Sequence, residues 1–374
     1  LLMVDDVIIA GVHYPQDSMV RRMKGPAGTK VKVTVKRDGE VIPFEITRGK
    51  IPMHSVDAAF MTSATDGYVR VSKFSRSTYE EFVKAIAELR AQGMEHLVVD
   101  LRDNSGGYFD QALMMINLFL PKDSLIVFLE GRKRAREDYR ADGRGPYQDL
   151  PVSLLINEGS ASSSEIFAGA LQDNHRATIV GRRSFGKGLV QEPINFTDGS
   201  GIRLTVARFH TPSGRCIQKP YTEDYAYEVY KRYAGSEMVQ KDSMKIENGG
   251  ILPDVFVPLD TTRASDFYIK CNKKASALRF ASHYFDKHHA ELSAIDDYAQ
   301  LLDYLDRAEL DKQFLQFVKK TDGLVPKKGE WEDSKDYMMT QIRALVGRYS
   351  ALSDNAFYHI YLSIDETFAA AVKK

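Results

Sequence analysis

Apolar positions along the chain change their spacing twice. Over residues 1 to about 50 they form short β-type runs: Val7-Ile8-Ile9-Ala10, then Val31-Lys32-Val33-Thr34-Val35, where valine alternates with polar residues. Between these runs, Asp17 to Met23 predicts a short helix with an acidic start, closed by Gly25-Pro26-Ala27-Gly28. Asp38-Gly39 predicts a hairpin turn between two strands. From about 51 to 260, strand and helix patterns alternate. Gly67 to Val71, His96 to Leu101, Val152 to Ile156 and Ala177 to Val180 predict strands, and Ser77 to Arg90 an amphipathic helix. That alternation predicts an α/β core. From about 261 the period becomes helical, over Ser265 to about Leu292, Asp333 to Tyr349 and Asp354 to Val372 and a shorter pair around Leu301 to Lys320, with a linker at Gly323 to Gly329. The expected organisation is a β-rich unit over 1–49, an α/β core over 50–260 and an all-helical region over 261–374, the last serving packing or self-association.

A chain of 374 residues has room for two or three compact units. Hydrophobic residues at 43% supply an ample core, and Lys plus Arg balances Asp plus Glu at 51 each. This balance gives no electrostatic case for nucleic acid or an anionic membrane as main partner. No apolar run reaches bilayer-spanning length. The opening residues, Leu1-Leu2-Met3-Val4-Asp5-Asp6, read as the middle of a domain, so an export signal upstream would lie outside this sequence. Cys216 and Cys271 form neither a zinc pattern nor a disulfide framework and are expected to be structural.

The candidate chemistry lies in two neighbouring segments. Asn157 to Asp173 follows a strand; its small-residue turn, Gly159-Ser160-Ala161-Ser162-Ser163-Ser164-Glu165, leads into an amphipathic helix. A serine at such a junction can project its hydroxyl beside the open N–H groups of the helix start. Serines there also serve as plain helix caps. Shortly after the strand at Ala177 to Val180 comes Ser184-Phe185-Gly186-Lys187-Gly188. A phosphate-binding loop would need Ser or Thr after the lysine, and Gly188 stands there instead.

Together these segments resemble the active-site region of the C-terminal processing peptidases, the tail-specific serine proteases of the S41 group. The motifs are Gly159-Ser160-Ala161-Ser162-x-Ser164-Glu165-Ile166, Ala168 to Asp173, and Phe185-Gly186-Lys187-Gly188-x-x-Gln191. The resemblance implies Ser162 as nucleophile, Lys187 as general base, Gln191 as its support and Asp173 as an auxiliary residue. Ser163 replaces the alanine common after the nucleophile. Asp100-Leu101-Arg102-Asp103-Asn104-Ser105-Gly106-Gly107 resembles the strand-end turn that supplies oxyanion donors, implying the amides of Gly106 or Gly107 and of Ser163. Thr211 to Arg215 and Gly249 to Asp254 match further landmarks, and Tyr221 to Glu247 looks like an insertion.

What the resemblance implies for the fold is a protease core of the ClpP/crotonase-like type. Residues 1–49 resemble the second half of a PDZ domain, a module that binds an extended C-terminus as an added strand. The implied function is a serine endopeptidase acting near the C-terminal tails of proteins without cofactor or metal, in the bacterial cell envelope. A lysine base must first lose its proton, which free lysine holds to pH ~10.4; burial beside Phe185 is expected to ease that loss. Two alternatives remain, a non-catalytic peptide-binding scaffold and a related hydrolase or thioesterase. His175, His283, His288 and His289 show neither triad nor metal spacing and are expected to be non-catalytic.

Overall fold

A computed structural model describes residues 1–37, 39–51, 54–219, 249–260 and 264–373, in two compact units, 1–53 and 54–374. The Tyr221 to Glu247 insertion and Asp38 lie outside the described residues.

In the first unit β1 (Met3–Val4), β2 (Val7–Ile8), α1 (Gln16–Met23), β3 (Lys30–Arg37) and β4 (Glu40–Thr47) build an antiparallel sheet in the order β2-β1-β3-β4. The alternation in β3 buries Val31 and Val33 against Val4. Arg37 pairs with Glu40 at one end of the β3–β4 ladder. Arg48 closes α1 by donating to the carbonyls of Arg22 (2.8 Å) and Met23 (2.9 Å), which the helix itself leaves open.

The second unit comprises β5 (Val56–Met61), β6 (Asp66–Val71), α2 (Thr78–Ala91), β7 (His96–Asp100), α3 (Phe109–Asn117), β8 (Leu125–Gly131), β9 (Arg134–Arg140), β10 (Val152–Ile156), α4 (Ser163–Asp173), β11 (Thr178–Gly181), β12 (Leu189–Asn195), β13 (Gly201–His210) and β14 (Val255–Phe256), followed by helices. Its central sheet runs β14-β11-β10-β7-β6-β5, parallel throughout except for the edge strand β5.

Both faces of this sheet are apolar, which is why its strands read as continuous hydrophobic runs. On one face Val69, Val99, Leu154 and Ile179 pack under Ile86, Ile116 and Phe167 of α2, α3 and α4. On the other, Tyr68, Val98, Leu155 and Val180 pack under Leu362, Phe368 and Ala371 from the tail of the chain. The helical region is therefore in part a layer of the α/β core, packed on it within one compact unit. Asn355 accepts from the Ala59 amide on edge strand β5 at 2.9 Å, covering a sheet edge.

A second antiparallel sheet, β12-β13-β8-β9, was not legible in the sequence. Strand β9 is Arg-Ala-Arg-Glu-Asp-Tyr-Arg, polar on both faces, and β12 carries a register shift between Val190 and Gln191. Two expected helices are also each divided. Ser265 to Leu292 breaks into Asp266–Lys273 and Ser276–Ser293 at Ala275, whose φ is 49°. Asp354 to Val372 breaks into Ser353–Tyr361, the turn Leu362–Ile364 and Glu366–Val372. The last break is capped by Asp365, which accepts from the amides of Thr367 and Phe368, both at 3.0 Å. Cys271 is buried, which pushes its thiol up to about 11, and Cys216 is half-buried; both are free.

Candidate active site

Two turns at the carboxyl ends of neighbouring parallel strands carry the candidate residues. The first leaves β7 at Asp100. Its buried carboxylate accepts from Tyr68 Oη (2.7 Å) and from Arg102 Nη2 (2.7 Å), and lies 3.2 Å from Arg70 Nη1. Burial alone would raise this carboxyl, but the two guanidiniums override it and hold it well below the usual range. The chain then turns through Asp103 (φ 60°) and buried Asn104, which donates to Val71 O (2.8 Å) and accepts from the Gly106 amide (2.9 Å). Gly106 has φ 97°, and a Cβ there would lie 2.8 Å from Ser162 Cβ, so only glycine fits this approach.

The second turn leaves β10 and is bolted to the first. Asn157 accepts from the Asp103 amide (2.8 Å), and Ser160 Oγ donates to Leu101 O (2.7 Å). Ser164 Oγ donates to Asn104 O (2.8 Å), and Ser163 Oγ to Gly107 O (3.0 Å). Three of the four clustered serines are thus buried and hold a carbonyl. Ser162 differs: it is partly exposed, donates to no carbonyl and sits at φ 57°, ψ −114°, backbone that non-glycine residues seldom adopt. The strain turns its side chain out of the packed turn. Among the described residues, the amides of Gly107 and Ser163 beside it find no acceptor, whereas that of Gly106 is taken by Asn104.

Glu165 ties the serine turn to the lysine loop. Fully buried, it accepts from the amides of Ser162 (2.8 Å), Gly186 (2.6 Å) and Lys187 (2.8 Å) and from Ser184 Oγ (2.5 Å). Sequence reasoning gave it no role, because an acidic residue three places after a helix-capping serine looks like a simple cap. Burial pushes its carboxyl up from the ordinary value, against the pull of the four donors. The folded protein therefore holds this proton to higher pH than the unfolded chain. The group's contribution to stability is full below the unfolded value and is lost as pH rises through the folded one. Site geometry has the opposite need, since only the ionised carboxylate accepts from all four donors. Glu165→Gln is expected to turn an NH2 toward backbone N–H donors, lowering kcat/KM by ~10²-fold at neutral pH, about 2.7 kcal/mol of barrier. Steady-state kinetics of this variant at wild-type kcat/KM would remove Glu165 from the site.

The lysine loop departs from expectation. Lys187 is exposed, and Phe185 does not desolvate it: the Phe185 ring instead lies under the Lys219 ammonium, 4.0 Å away. Gln191 is also exposed, with its amide nitrogen 3.5 Å from Thr205 Oγ1. The structure thus brings Ser162, Ser163, Gly106, Gly107 and the Lys187 backbone together and leaves Gln191 apart. Asp173 stands at the far end of α4, about 15 Å along the helix. There it pairs with Arg215 and accepts from the Ser213 amide (2.9 Å), anchoring the 211–215 turn. Burial would raise its carboxyl, but hydrogen bonds from Thr211 and Ser213 and the charge of Arg215 lower it.

His175 is exposed at the end of α4, and His283, His288 and His289 lie against Phe317, Tyr284 and Phe285. Among the described residues no group of three or more His, Cys, Asp or Glu is placed to hold a metal ion.

The model of peptidase family S41 matches residues 66–227, which hold both turns, the nucleophile candidate and the lysine loop. Residues 66–227 thus match a peptidase family S41 domain. A family of unknown function matches residues 267–350, within the helical region. A carboxyl-terminal-processing protease of Synechocystis sp. is 40% identical over 208 residues, covering 54% of this chain and 48% of the relative. A probable CtpA-like serine protease of Staphylococcus epidermidis is 38% identical over 208 residues, covering 55% and 42%. The chain thus spans about half the length of the curated relatives it matches. Among solved structures, a photosystem II D1 C-terminal processing protease is 28% identical with a TM-score of 0.44, covering 69% of this chain and 62% of that one. Neither family match includes residues 1–53 or the tail beyond 350.

Proposed function

We propose that this chain is a serine endopeptidase that cleaves near the C-termini of protein substrates, with Ser162 as nucleophile and Lys187 as general base. The observation that carries the reading is the singular state of Ser162. Of four clustered serines it alone is accessible, strained and without a bond to a carbonyl, at a helix start beside two open amides.

In this reading neutral Lys187 takes the proton of Ser162 as Oγ attacks the scissile carbonyl. The Gly107 and Ser163 amides hold the developing oxyanion, while Gly106 keeps the turn in place through Asn104. Lys187 then gives its proton to the leaving amine, and water releases the acyl-enzyme. In this reading the exposed Lys187 side chain reaches Ser162, and the Gln191 amide supports it by leaving Thr205. Catalytic hydrogen bonds are often long or unformed without substrate.

Parallel strands that advance one place at a time, β6-β7-β10-β11-β14, favour a ClpP/crotonase-like core. The small sheet and α1 of residues 1–53 favour a PDZ-type peptide reader. An envelope location goes with this reading and rests on the resemblance alone. The test is cleavage of a peptide with an apolar C-terminus, supplied as free acid and as amide. The free acid is expected to be cut near its end with kcat/KM ~10-fold or more above the amide, from loss of carboxylate recognition. Equal cleavage of the two removes tail specificity; cleavage of neither removes the peptidase reading.

A further inference from the structure

The oxyanion-bearing turn is held from beneath by the end of the chain. Arg102 divides its guanidinium between two partners. Nε (3.0 Å) and Nη2 (2.7 Å) face Asp100 on β7, and Nη1 lies 2.6 Å from Asp365 Oδ2 in the tail. The Arg102 carbonyl in turn accepts from Arg70 Nη2 at 3.0 Å. All four side chains are at least mostly buried, and their charges balance: Asp100 and Asp365 against Arg70 and Arg102. Without Asp365, two buried guanidiniums would share one carboxylate, an arrangement that strongly favours rearrangement. A cavity of about 360 Å³ borders Arg70, Arg102, Asp103, Asn157 and Asp365, so the turn has room to shift. Downstream of Arg102, the same turn runs through Asn104 and Gly106 to Gly107, whose carbonyl is held by Ser163.

We propose that Asp365 is a positioning residue for the active site, fixing the Leu101 to Gly107 turn through Arg102 and Asp100. The inference rests on the serine-peptidase reading for its catalytic consequence. Asp365 lies outside both family matches, so the tail supplies something the S41 region lacks by itself. The two oxygens of Asp365 have separate tasks: Oδ1 caps the helix Glu366–Val372, and Oδ2 meets Arg102. Asp365→Asn therefore keeps a capping oxygen and removes the charge.

In the full chain, Asp365→Asn is expected to lower kcat by ~10-fold with KM within about twofold, as a small misplacement of the oxyanion donors would. In an Arg102→Ala background the same substitution should have no further effect on kcat, because its route to the site is already cut. Hydrogen exchange reads the proposal without turnover: amides of residues 101–107 should exchange ~10-fold faster in Asp365→Asn, with α4 unchanged. An unchanged kcat, an equal loss with and without Arg102, or unchanged exchange in this turn overturns the proposal. If the wild-type chain cleaves no peptide, the peptidase reading falls, and the exchange result still decides whether Asp365 holds the turn.

Discussion

Ser162→Ala is expected to abolish cleavage, lowering kcat by ~10⁴–10⁶-fold, the range seen when a serine nucleophile is removed. The fold survives, because the Ser162 hydroxyl holds no carbonyl. Ser162→Gly is equally inactive yet more stable by ~1 kcal/mol, since glycine accepts φ 57° without strain. The neighbours give the contrast. Ser160→Ala and Ser164→Ala each lose a buried bond to the first turn, worth ~1 kcal/mol, and keep most of their turnover. Kinetics and thermal melts of the four variants separate a nucleophile from a bolt. Wild-type turnover in purified Ser162→Ala would end the assignment.

Lys187→Arg is expected to lose ~10⁴-fold or more in kcat, because nucleophile and base act as one unit. Arginine can reach as far as lysine but stays protonated at any usable pH, so it offers no lone pair to the serine proton. The arginine variant is expected to stay inactive at every pH at which wild type is active. Packing has little to lose: the side chain is exposed, and the contact that secures the loop is made by the Lys187 backbone N–H to Glu165. Matching pH–rate profiles for the two proteins would send the search for a base to another residue.

The parts of this fold that were legible in the sequence are those where local pattern and tertiary environment agree. Strands β6, β7, β10 and β11 are buried on both faces and read as apolar runs. The Ser162 turn was legible because small residues crowd only where backbones approach closely. What escaped was set by distant partners. Strand β9 owes its conformation to pairing with β8, not to its own polar residues. Lys187 is exposed, and it is Lys219, far along the chain, that lies over the Phe185 ring. Asp365 looks like an interior residue of a helix until Arg102, far earlier in the chain, draws one of its oxygens. Glu165 hid inside its own motif, since a helix-start carboxylate gives no sign in sequence of the loop it gathers.

The tail layer has a consequence for biosynthesis. Ribosomes deliver the chain N-terminus first at roughly 5–20 residues per second, so Arg102 emerges on the order of tens of seconds before Asp365. Until then the back of the central sheet is uncovered and the turn beside Ser162 lacks its lower anchor. Completion of the Leu101 to Gly107 turn is thereby deferred until Asp365 has emerged, and a nascent chain stopped before that point leaves the turn without its lower anchor.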